Sequence, residues 1–452
     1  MRNKIKYVLD TFFTYHKIDI EDIDIHYGIN LESKIQVKQS KLIYIFNDNF
    51  DINHNNVVWK QWFNKDIPFL FDRSTNKDII EEIDGNIVIN YDIFAASFYL
   101  LSGYSEIIND NRDELGRIIY EDSIQAHLKI MELPVVNYYF NILKTAIEKA
   151  YNISIETNIW GDKKFATCLT HDIDYIHTPW TKDGLKYLLT TNVITNIQLP
   201  IKKITQNKAW CNFKEIINIE KQHNAKSTFF ILPNNKKSDK GFDNADYTLK
   251  EIEKYLEYIE SEGFEIGVHP SICTHKTCSR LKDELKKLEK YNPTSNRFHF
   301  LIYKPGQTRK TLEINNMKTD STLGFSQYIG FRNSFCLPFY LYNFEEDKTS
   351  SVLEIPLNIM DLTLYDKRYM NIKRDKVLSR IETIIQETAK FNGVLTVLWH
   401  NSFLSDFLYK GWKNIYIKLL EKLDKKNSVL TDCYTISQKI TNLPINRHGV
   451  KK

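Results

Sequence analysis

Two acidic residues, Asp172 and Asp174, stand two positions apart at the end of the apolar segment ATCLTHD (166–172). Side chains along a strand alternate between its two faces, so Thr170, Asp172 and Asp174 share one face. Carboxylates that lie close together share either a proton or a cation. An Asp-rich turn that caps the next segment would explain the same residues without any chemistry. The pair therefore predicts an acid/base or metal site only if further ligands converge on it.

Residues of the right type end several other apolar segments. His269 lies in EIGVHPS (265–271), Arg297 and His299 in NRFHFLI (296–302), Asp361 in LEIPLNIMD (353–361), and His400 with Asn401 in GVLTVLWHN (393–401). The two-residue period places Arg297 and His299 on one strand face. One strand-end histidine is usually structural, but five strands that end in Asp, His or Arg are hard to explain by coincidence. Carboxylates and imidazoles are ligands of a borderline divalent cation such as zinc.

Short apolar segments alternate with amphipathic helices from about residue 160 to 445, which predicts a parallel α/β sheet or barrel. The predicted strands are 166–172, 226–232, 265–271, 296–302, 353–361 and 393–401, and the predicted helices are 212–223, 247–262, 278–291, 374–391 and 412–425. In an α/β barrel the carboxyl ends of the strands meet at one rim, where sites form. The candidate residues are all expected at that rim.

Residues 1–155 are expected to form a smaller mixed α/β domain. Short strands are predicted in KIQVKQS (34–40), PFLFD (68–72) and NIVINYD (86–92), and helices at 91–106 and 135–152. No cluster of catalytic residue types is visible there. We interpret this part as an accessory domain that positions or docks the substrate.

The composition excludes several classes of protein. The 452 residues include 61 Lys+Arg and 57 Asp+Glu, a net charge of +4 with mixed signs, which predicts no nucleic-acid partner. Neither GxGxxG nor GxxxxGK[ST] occurs, so a glycine-rich nucleotide site is not expected. The longest apolar-rich run, 93–104, is too short to span a bilayer. With no export signal at its start and six scattered cysteines, the chain is predicted to be cytoplasmic.

The motifs resemble those of the polysaccharide deacetylase family, also called the NodB-homology or carbohydrate esterase family 4 superfamily. The segments that carry the resemblance are LTHDIDY (169–175), STFFIL (227–232), GFEIGVHPS (263–271), LEIPLNIMD (353–361) and LWHN (398–401). FAASFYLLSGYSE (94–106) and the Arg-x-His, Asp-Ser-Thr-Leu-Gly and Gly-Phe-Arg motifs of residues 297–332 resemble a subgroup with an extra N-terminal domain. The resemblance implies a distorted (β/α)7-type barrel that follows the smaller domain.

The resemblance also implies a divalent metal, with zinc expected, bound by Asp174 and His269. The family usually carries His-x-x-x-His, whereas Cys273 stands four residues after His269. His299 is the favoured third ligand, because it lies on the next predicted strand. Cys273 as a thiolate and His275 from a bent loop are the alternatives.

The implied activity is the metal-dependent removal of N-acetyl groups from an N-acetylated sugar or glycan. In that scheme Asp172 is the general base, oriented by Arg297, and His400 is the general acid, held protonated by Asp361. Tyr175, His177 and Trp180 follow the acid pair and offer ring faces to a pyranose.

Two other functions stay open at this point. One is a hydrolase of a non-sugar amide or cyclic imide, which would have a tight pocket without aromatic walls. The other is a non-catalytic carbohydrate-binding protein with a decayed metal site, which only Cys273 supports. The sequence does not specify the sugar or the oligomeric state.

Overall fold

The computed structural model of the chain describes residues 2–18, 23–28, 33–38, 57–72, 76–109, 111–178, 208–238 and 241–443. Trp180 lies outside these residues. Within them, no helix has both the length and the apolar character that a membrane span requires.

The N-terminal part contains two small sheets and the helices that cover them. Its strands are β1 (Ile25–Tyr27), β2 (Ile35–Val37), β3 (Val57–Trp62), β4 (Lys65–Leu70), β5 (Ile80–Ile83) and β6 (Asn86–Ile89). Its helices are α1 (Arg2–Tyr15), α2 (Ile93–Leu101), α3 (Tyr104–Ile108), α4 (Ile124–His127) and α5 (Val135–Tyr151). The larger sheet has the order β1-β2-β6-β5, and β3 and β4 form an antiparallel hairpin. Every residue of α2 is buried, which explains why its sequence is apolar on all sides.

The second part alternates strands and helices. Its strands are β7 (Phe165–Ile173), β8 (Thr228–Ile231), β9 (Glu265–Val268), β10 (Ser295–Asn296), β11 (Thr319–Asp320), β12 (Phe339–Asn343), β13 (Lys348–Glu354), β14 (Ile359–Met360), β15 (Val394–Leu398) and β16 (Ser428–Thr431). Its helices are α6 (Phe213–Lys221), α7 (Leu249–Ser261), α8 (Cys278–Lys287), α9 (Gln307–Ile314), α10 (Asp361–Tyr365), α11 (Val377–Arg380), α12 (Glu382–Lys390), α13 (Asp406–Tyr409), α14 (Trp412–Lys425) and α15 (Cys433–Thr441). The predicted α/β class is confirmed.

The strands of the second part form one sheet that returns on itself. The pairing order is β12-β13-β11-β10-β9-β8-β7-β15-β14, with β16 also on β7, and every pair is parallel except β12 with β13. β13, next to one end of this path, and β14, at the other end, are successive parts of the segment 348–360, so the chain itself links them. Within the link, Ile355 N–H donates to the Asp320 carbonyl at 2.8 Å and Asn358 N–H donates to the Thr396 carbonyl at 3.1 Å. If β13 and β14 count as one position and β12 and β16 are left aside, the remaining strands occupy seven positions, which matches a distorted barrel.

Two predicted strands are wrong in part. The segment 296–302 leaves the sheet after Asn296, and residues 299–301 form a 3-10 turn in which Phe300 and Leu301 have φ of 60° and 56°. Extended backbone does not adopt such angles, so the predicted strand ends before Phe300. Phe298, between Arg297 and His299, still has extended angles of −70° and 134°. Beyond Asn296, Arg297 N–H still donates to the Val268 carbonyl of β9 at 3.1 Å. Phe298 N–H then donates to the Thr322 hydroxyl at 3.0 Å, and His299 N–H donates to the Pro270 carbonyl at 3.2 Å.

The predicted strand 353–361 is also interrupted. Strand pairing stops between Glu354 and Ile359, where Pro356 has no N–H to donate. Asp361 begins α10 instead of ending a strand.

The two parts of the chain share one continuous apolar core. Tyr7, Phe98 and Phe140 of the N-terminal part belong to the same cluster of buried residues as Phe335 and Ile384 of the second part. A division into domains at residues 155–160 therefore stays a prediction. The shared core indicates that the N-terminal part is packed firmly against the barrel.

Candidate metal and catalytic site

Asp174, His269 and His299 come together at the carboxyl rim of the barrel. Asp174 Oδ1 lies 3.3 Å from His269 Nε2 and 3.7 Å from His299 Nε2, and one ligand atom from each residue lies within 4.8 Å of the other two. Donors about 2.1 Å from a shared tetrahedral zinc ion are about 3.4 Å apart. Asp174 Oδ1 is buried without a hydrogen-bond partner among the described residues. This spacing and the orphaned oxygen fit a divalent cation.

The surroundings of the two histidines prepare them as ligands. The Arg297 carbonyl lies 2.5 Å from His269 Nδ1, so Nδ1 donates to it and Nε2 faces Asp174. Burial lowers the pKa of His269, but the carboxylates of Asp172 and Asp174 outweigh that effect and raise it. Burial lowers the pKa of His299 to about 4 despite the nearby carboxylate of Asp174, so this ring is neutral near pH 7. Burial alone would raise the pKa of Asp174, but the imidazoles of His299 and His269 hold it well below its usual value.

Neither alternative third ligand joins this group. Cys273 has φ of 72° and precedes a 3-10 turn, and burial lowers the pKa of His275, whose ring lies 6.3 Å from that of Phe298, to about 4. Within the described ranges, the single group of ligands that could hold a metal consists of Asp174, His269 and His299. The geometry therefore favours His299.

Asp172 lies beside this group and is held by Arg297, which is fully buried inside the ring. Arg297 Nη1 donates to Asp172 Oδ1 at 3.0 Å, while Asp172 Oδ2 lies 3.7 Å from His269 Nε2. The guanidinium carbon of Arg297 lies 4.6 Å from the centroid of the Phe230 ring. A Cβ on Gly267 would approach the Phe230 ring to 2.6 Å, so glycine at this position leaves space for the ring that packs against Arg297.

His400 approaches the other carboxylate oxygen of Asp174. Its Nδ1 is 2.7 Å from Asp361 Oδ1, and its Nε2 is 3.7 Å from Asp174 Oδ2. Burial lowers the pKa of His400, but the carboxylate of Asp361 outweighs that effect and raises the pKa to about 9. His400 is therefore protonated at neutral pH, with its Nε2 side toward the site.

A cavity of about 630 Å³ opens at Asp174 and His400. Its aromatic lining residues are Tyr175, Trp210, Phe403 and Tyr409, and its polar ones include His177, Lys237, Asp243 and Asp246. The rings of Phe403 and Tyr409 are stacked with 3.8 Å between their centroids, and Trp210 stacks on Tyr409 with 6.2 Å between the centroids. This volume is in the range of small-molecule pockets, and its walls offer both ring faces and polar groups.

Three residues of the site had no role in the sequence-based prediction. Thr170 and Ser321 accept hydrogen bonds from Arg297, with Thr170 Oγ1 at 2.7 Å from Nη1 and Ser321 Oγ at 2.8 Å from Nη2. Asn401 Nδ2 donates to the carbonyls of Tyr175 and Trp210 at 2.7 and 2.6 Å and so fixes two walls of the cavity. The two-residue period placed Thr170 on the same face as Asp172. No local pattern indicated the hydrogen bonds of Ser321 and Asn401, because their partners are distant in the sequence.

Residues 1–152 match the model of a family of unknown function (DUF7033). This match covers 152 of the 452 residues, which does not assign the whole chain to a family. Comparison with curated proteins gives no match.

Several solved structures are similar at low identity. They include a PuuE allantoinase (12% identity, 62% of this chain, 91% of that chain, TM-score 0.42) and a probable polysaccharide deacetylase from Pseudomonas aeruginosa PAO1 (11%, 62% and 91%, TM-score 0.41). A GH57-type branching enzyme from Pyrococcus horikoshii is a third (11%, 64% and 72%, TM-score 0.35). All three TM-scores are below 0.5, so these similarities assign no function to the chain.

Proposed function

We propose that this protein is a metal-dependent hydrolase that removes N-acetyl groups from an N-acetylated sugar or glycan. The observation that carries the proposal is the position of Asp174, whose Oδ1 has no hydrogen-bond partner among the described residues and faces the Nε2 atoms of His269 and His299. Two further pairs lie close by: Asp172 with Arg297, and His400 with Asp361. Amide hydrolysis needs such an arrangement, because a proton must leave the attacking water and another must reach the departing amine.

In this proposal Asp174, His269 and His299 hold the cation. A divalent cation would polarise the acyl carbonyl and make water more acidic. Since His299 is neutral and His269 has its Nδ1 proton engaged by the Arg297 carbonyl, both rings can donate from Nε2. Asp174, His269 and His299 thus supply three protein ligands to one cation.

Asp172 and His400 would move the protons. Asp172 accepts the proton of the attacking water through Oδ2, because Arg297 already occupies Oδ1. His400 donates the Nε2 proton to the leaving nitrogen, and the Asp361 carboxylate at Nδ1 stabilises the imidazolium before transfer. The base lies 3.7 Å from His269 Nε2, and the acid lies 3.7 Å from Asp174 Oδ2, so both are next to the proposed ligands.

The cavity favours a sugar over a small amide or imide. Its volume of about 630 Å³ exceeds what a small cyclic imide fills, and Tyr175, Trp210 and Tyr409 give it aromatic walls. Pyranose rings pack their apolar faces against such rings. The intact set of acid, base and ligands argues against a binding protein with a decayed metal site.

The test is acetate release from oligomers of N-acetylglucosamine by the purified full chain. We expect release that a chelator abolishes, that added zinc restores, and that Asp174→Ala and Asp172→Asn remove. Asp283→Asn, at an exposed position of α8, is the matched control and should behave as wild type. Full activity of Asp172→Asn, or faster turnover of small cyclic imides than of the oligomers, would contradict the proposal.

Zinc as the metal and a cytoplasmic location remain predictions. Metal analysis of the desalted protein tests the first, and fractionation of cells tests the second.

A further inference from the structure

The turn that carries His299 has a strained backbone. Phe300 and Leu301 follow His299 directly and both have left-handed φ angles, although neither residue is Gly, Asn or Asp. Such conformations persist only where the surrounding structure holds them in place. The position of the His299 ring therefore depends on the contacts that hold this turn.

Contacts from the barrel hold both ends of the turn. His299 N–H donates to the Pro270 carbonyl at 3.2 Å. At the other end, Leu301 packs in a small buried cluster with Leu357, Met360 and Leu398. The middle residue, Phe300, stacks its ring on that of His299 with 4.0 Å between the centroids. Any movement of Phe300 would thus be transmitted to the ligand.

The carbonyl of Phe300 is held from the N-terminal part of the chain. Arg117 Nη1 donates to it at 3.2 Å across 183 positions of sequence. Without this donor, the strained peptide would lose a hydrogen bond that keeps it in its present orientation.

The side chain of Arg117 is held in place by Asp113. Its Nε donates to Asp113 Oδ2 at 2.7 Å, and the backbone N–H groups of Leu115 and Arg117 donate to Asp113 Oδ1 at 3.0 and 2.8 Å. Asp113 N–H also donates to the Arg117 carbonyl at 3.0 Å, which closes a tight loop. A donor held this way loses little conformational freedom when it binds a carbonyl.

We propose that Arg117 is a positioning residue for the metal site, through which the N-terminal part sets the orientation of the third ligand, His299. This proposal rests on the metal site of the proposed function. It assigns the N-terminal part a role in completing the site, which differs from docking a substrate. Arg117 touches neither the ligand atoms nor the cavity, so it acts only through the turn at Phe300.

The test is the affinity for zinc of the full chain, measured by competition with a chromophoric chelator. Loss of a residue that orients a metal ligand typically costs about 10–100-fold in affinity. We expect Arg117→Ala to bind zinc at least about tenfold more weakly than wild type, and Arg117→Lys to recover part of the loss because it keeps one donor.

Glu132→Gln is the matched control, because Glu132 also links the N-terminal part to the barrel. It binds Arg380 Nη1 at 2.8 Å and Tyr328 at 3.1 Å, and none of these residues belongs to the turn at 299–301. Thermal unfolding in the presence of chelator separates stability from metal binding. A purely structural role predicts that Arg117→Ala and Glu132→Gln both unfold earlier and both bind zinc as wild type does.

The outcomes separate the two proposals. If wild type binds one zinc ion that Asp174→Ala abolishes, and Arg117→Ala binds it equally well, the positioning role is wrong and the metal site stands. If wild type itself binds no divalent cation, the proposed function fails, and the positioning role fails with it.

Discussion

Asp361 holds His400 at two points. Asp361 Oδ1 lies 2.7 Å from the ring Nδ1, and Oδ2 accepts a hydrogen bond from the His400 backbone N–H at 2.6 Å. Asp361 is fully buried at the start of α10, 39 positions before His400. The two bonds fix the rotation of the ring, so Nε2 faces Asp174.

Substitution of Asp361 by asparagine should remove catalysis while leaving the metal site intact. The amide cannot stabilise an imidazolium and can favour the wrong tautomer of His400. We expect kcat for acetate release to fall at least about 100-fold, with unchanged zinc affinity. Asp366→Asn is the control and should keep full activity, because the part-buried Asp366 follows the same short helix and pairs with the exposed Arg368. Equal losses in both variants would rule out a specific role for Asp361.

The pH dependence of kcat should have a descending limb near pH 9. His400 must be protonated to donate to the leaving nitrogen, and the Asp361 carboxylate raises its pKa to about 9 against the effect of burial. Activity should therefore be present below this pKa and be lost as pH rises through it. In residual activity of Asp361→Asn, the limb should move to lower pH by about 1–3 units. Rate profiles between pH 6 and 11 measure both, and an unchanged limb in the variant would contradict the assignment.

Removal of Arg297 should destabilise the fold through the charge that it leaves behind. Its guanidinium is fully buried and donates to Thr170, Asp172 and Ser321. Arg297→Met should cost about 3–5 kcal/mol in the free energy of unfolding, because the Asp172 carboxylate remains buried without its partner. Chemical denaturation measures this cost.

The double variant Arg297→Met with Asp172→Asn is the control for that explanation. It should be more stable than Arg297→Met alone, since the unpaired charge is gone. If the double variant is less stable still, lost packing explains the effect better than electrostatics.

Glu265 at the start of β9 should make stability fall as pH rises from about 4.5 to about 7. Burial and the nearby Asp432 raise its pKa from 4.5 to about 7, although Ser295, Thr228 and the Tyr434 N–H donate to it. Between these values the folded state binds more protons than the unfolded state, so the free energy of unfolding decreases with pH by at most about 1.4 kcal/mol per unit.

The variant Glu265→Gln should be more stable than wild type at pH 8 and should lose most of this dependence. Its amide can still accept from Thr228 and donate to Ser295. Glu260→Gln on the exposed side of α7 should keep the wild-type slope. Denaturation midpoints of wild type and both variants at pH 5, 6, 7 and 8 measure this dependence. A wild-type midpoint that does not change with pH would contradict the prediction.

Local patterns were sufficient where burial and secondary structure agree. The helix predicted at 412–425 has those bounds in the structure, and the strand predicted at 166–172 lies within β7. The helix buries one apolar face and the strand is buried along its whole length, so the pattern of apolar residues matches the pattern of burial in both. The order of acids and histidines along the chain likewise pointed to one rim of the sheet.

The failures lie where the tertiary structure overrides the local pattern. NRFHFLI alternates like a strand, yet strand pairing stops after Asn296, and Phe300 and Leu301 turn the chain with left-handed φ angles of 60° and 56°. His299 therefore reaches Asp174 from a strained turn and not from a strand.

The sequence by itself determined the alternation of strands and helices and the residue types available for chemistry, because periodicity and composition are local properties. Only the tertiary structure decided which third residue lies beside Asp174, how the ring closes through residues 348–360, and that Arg117 reaches the turn at Phe300. These facts depend on contacts between residues far apart in the chain, and such contacts exist only after the sheet has curved and the N-terminal part has packed against it.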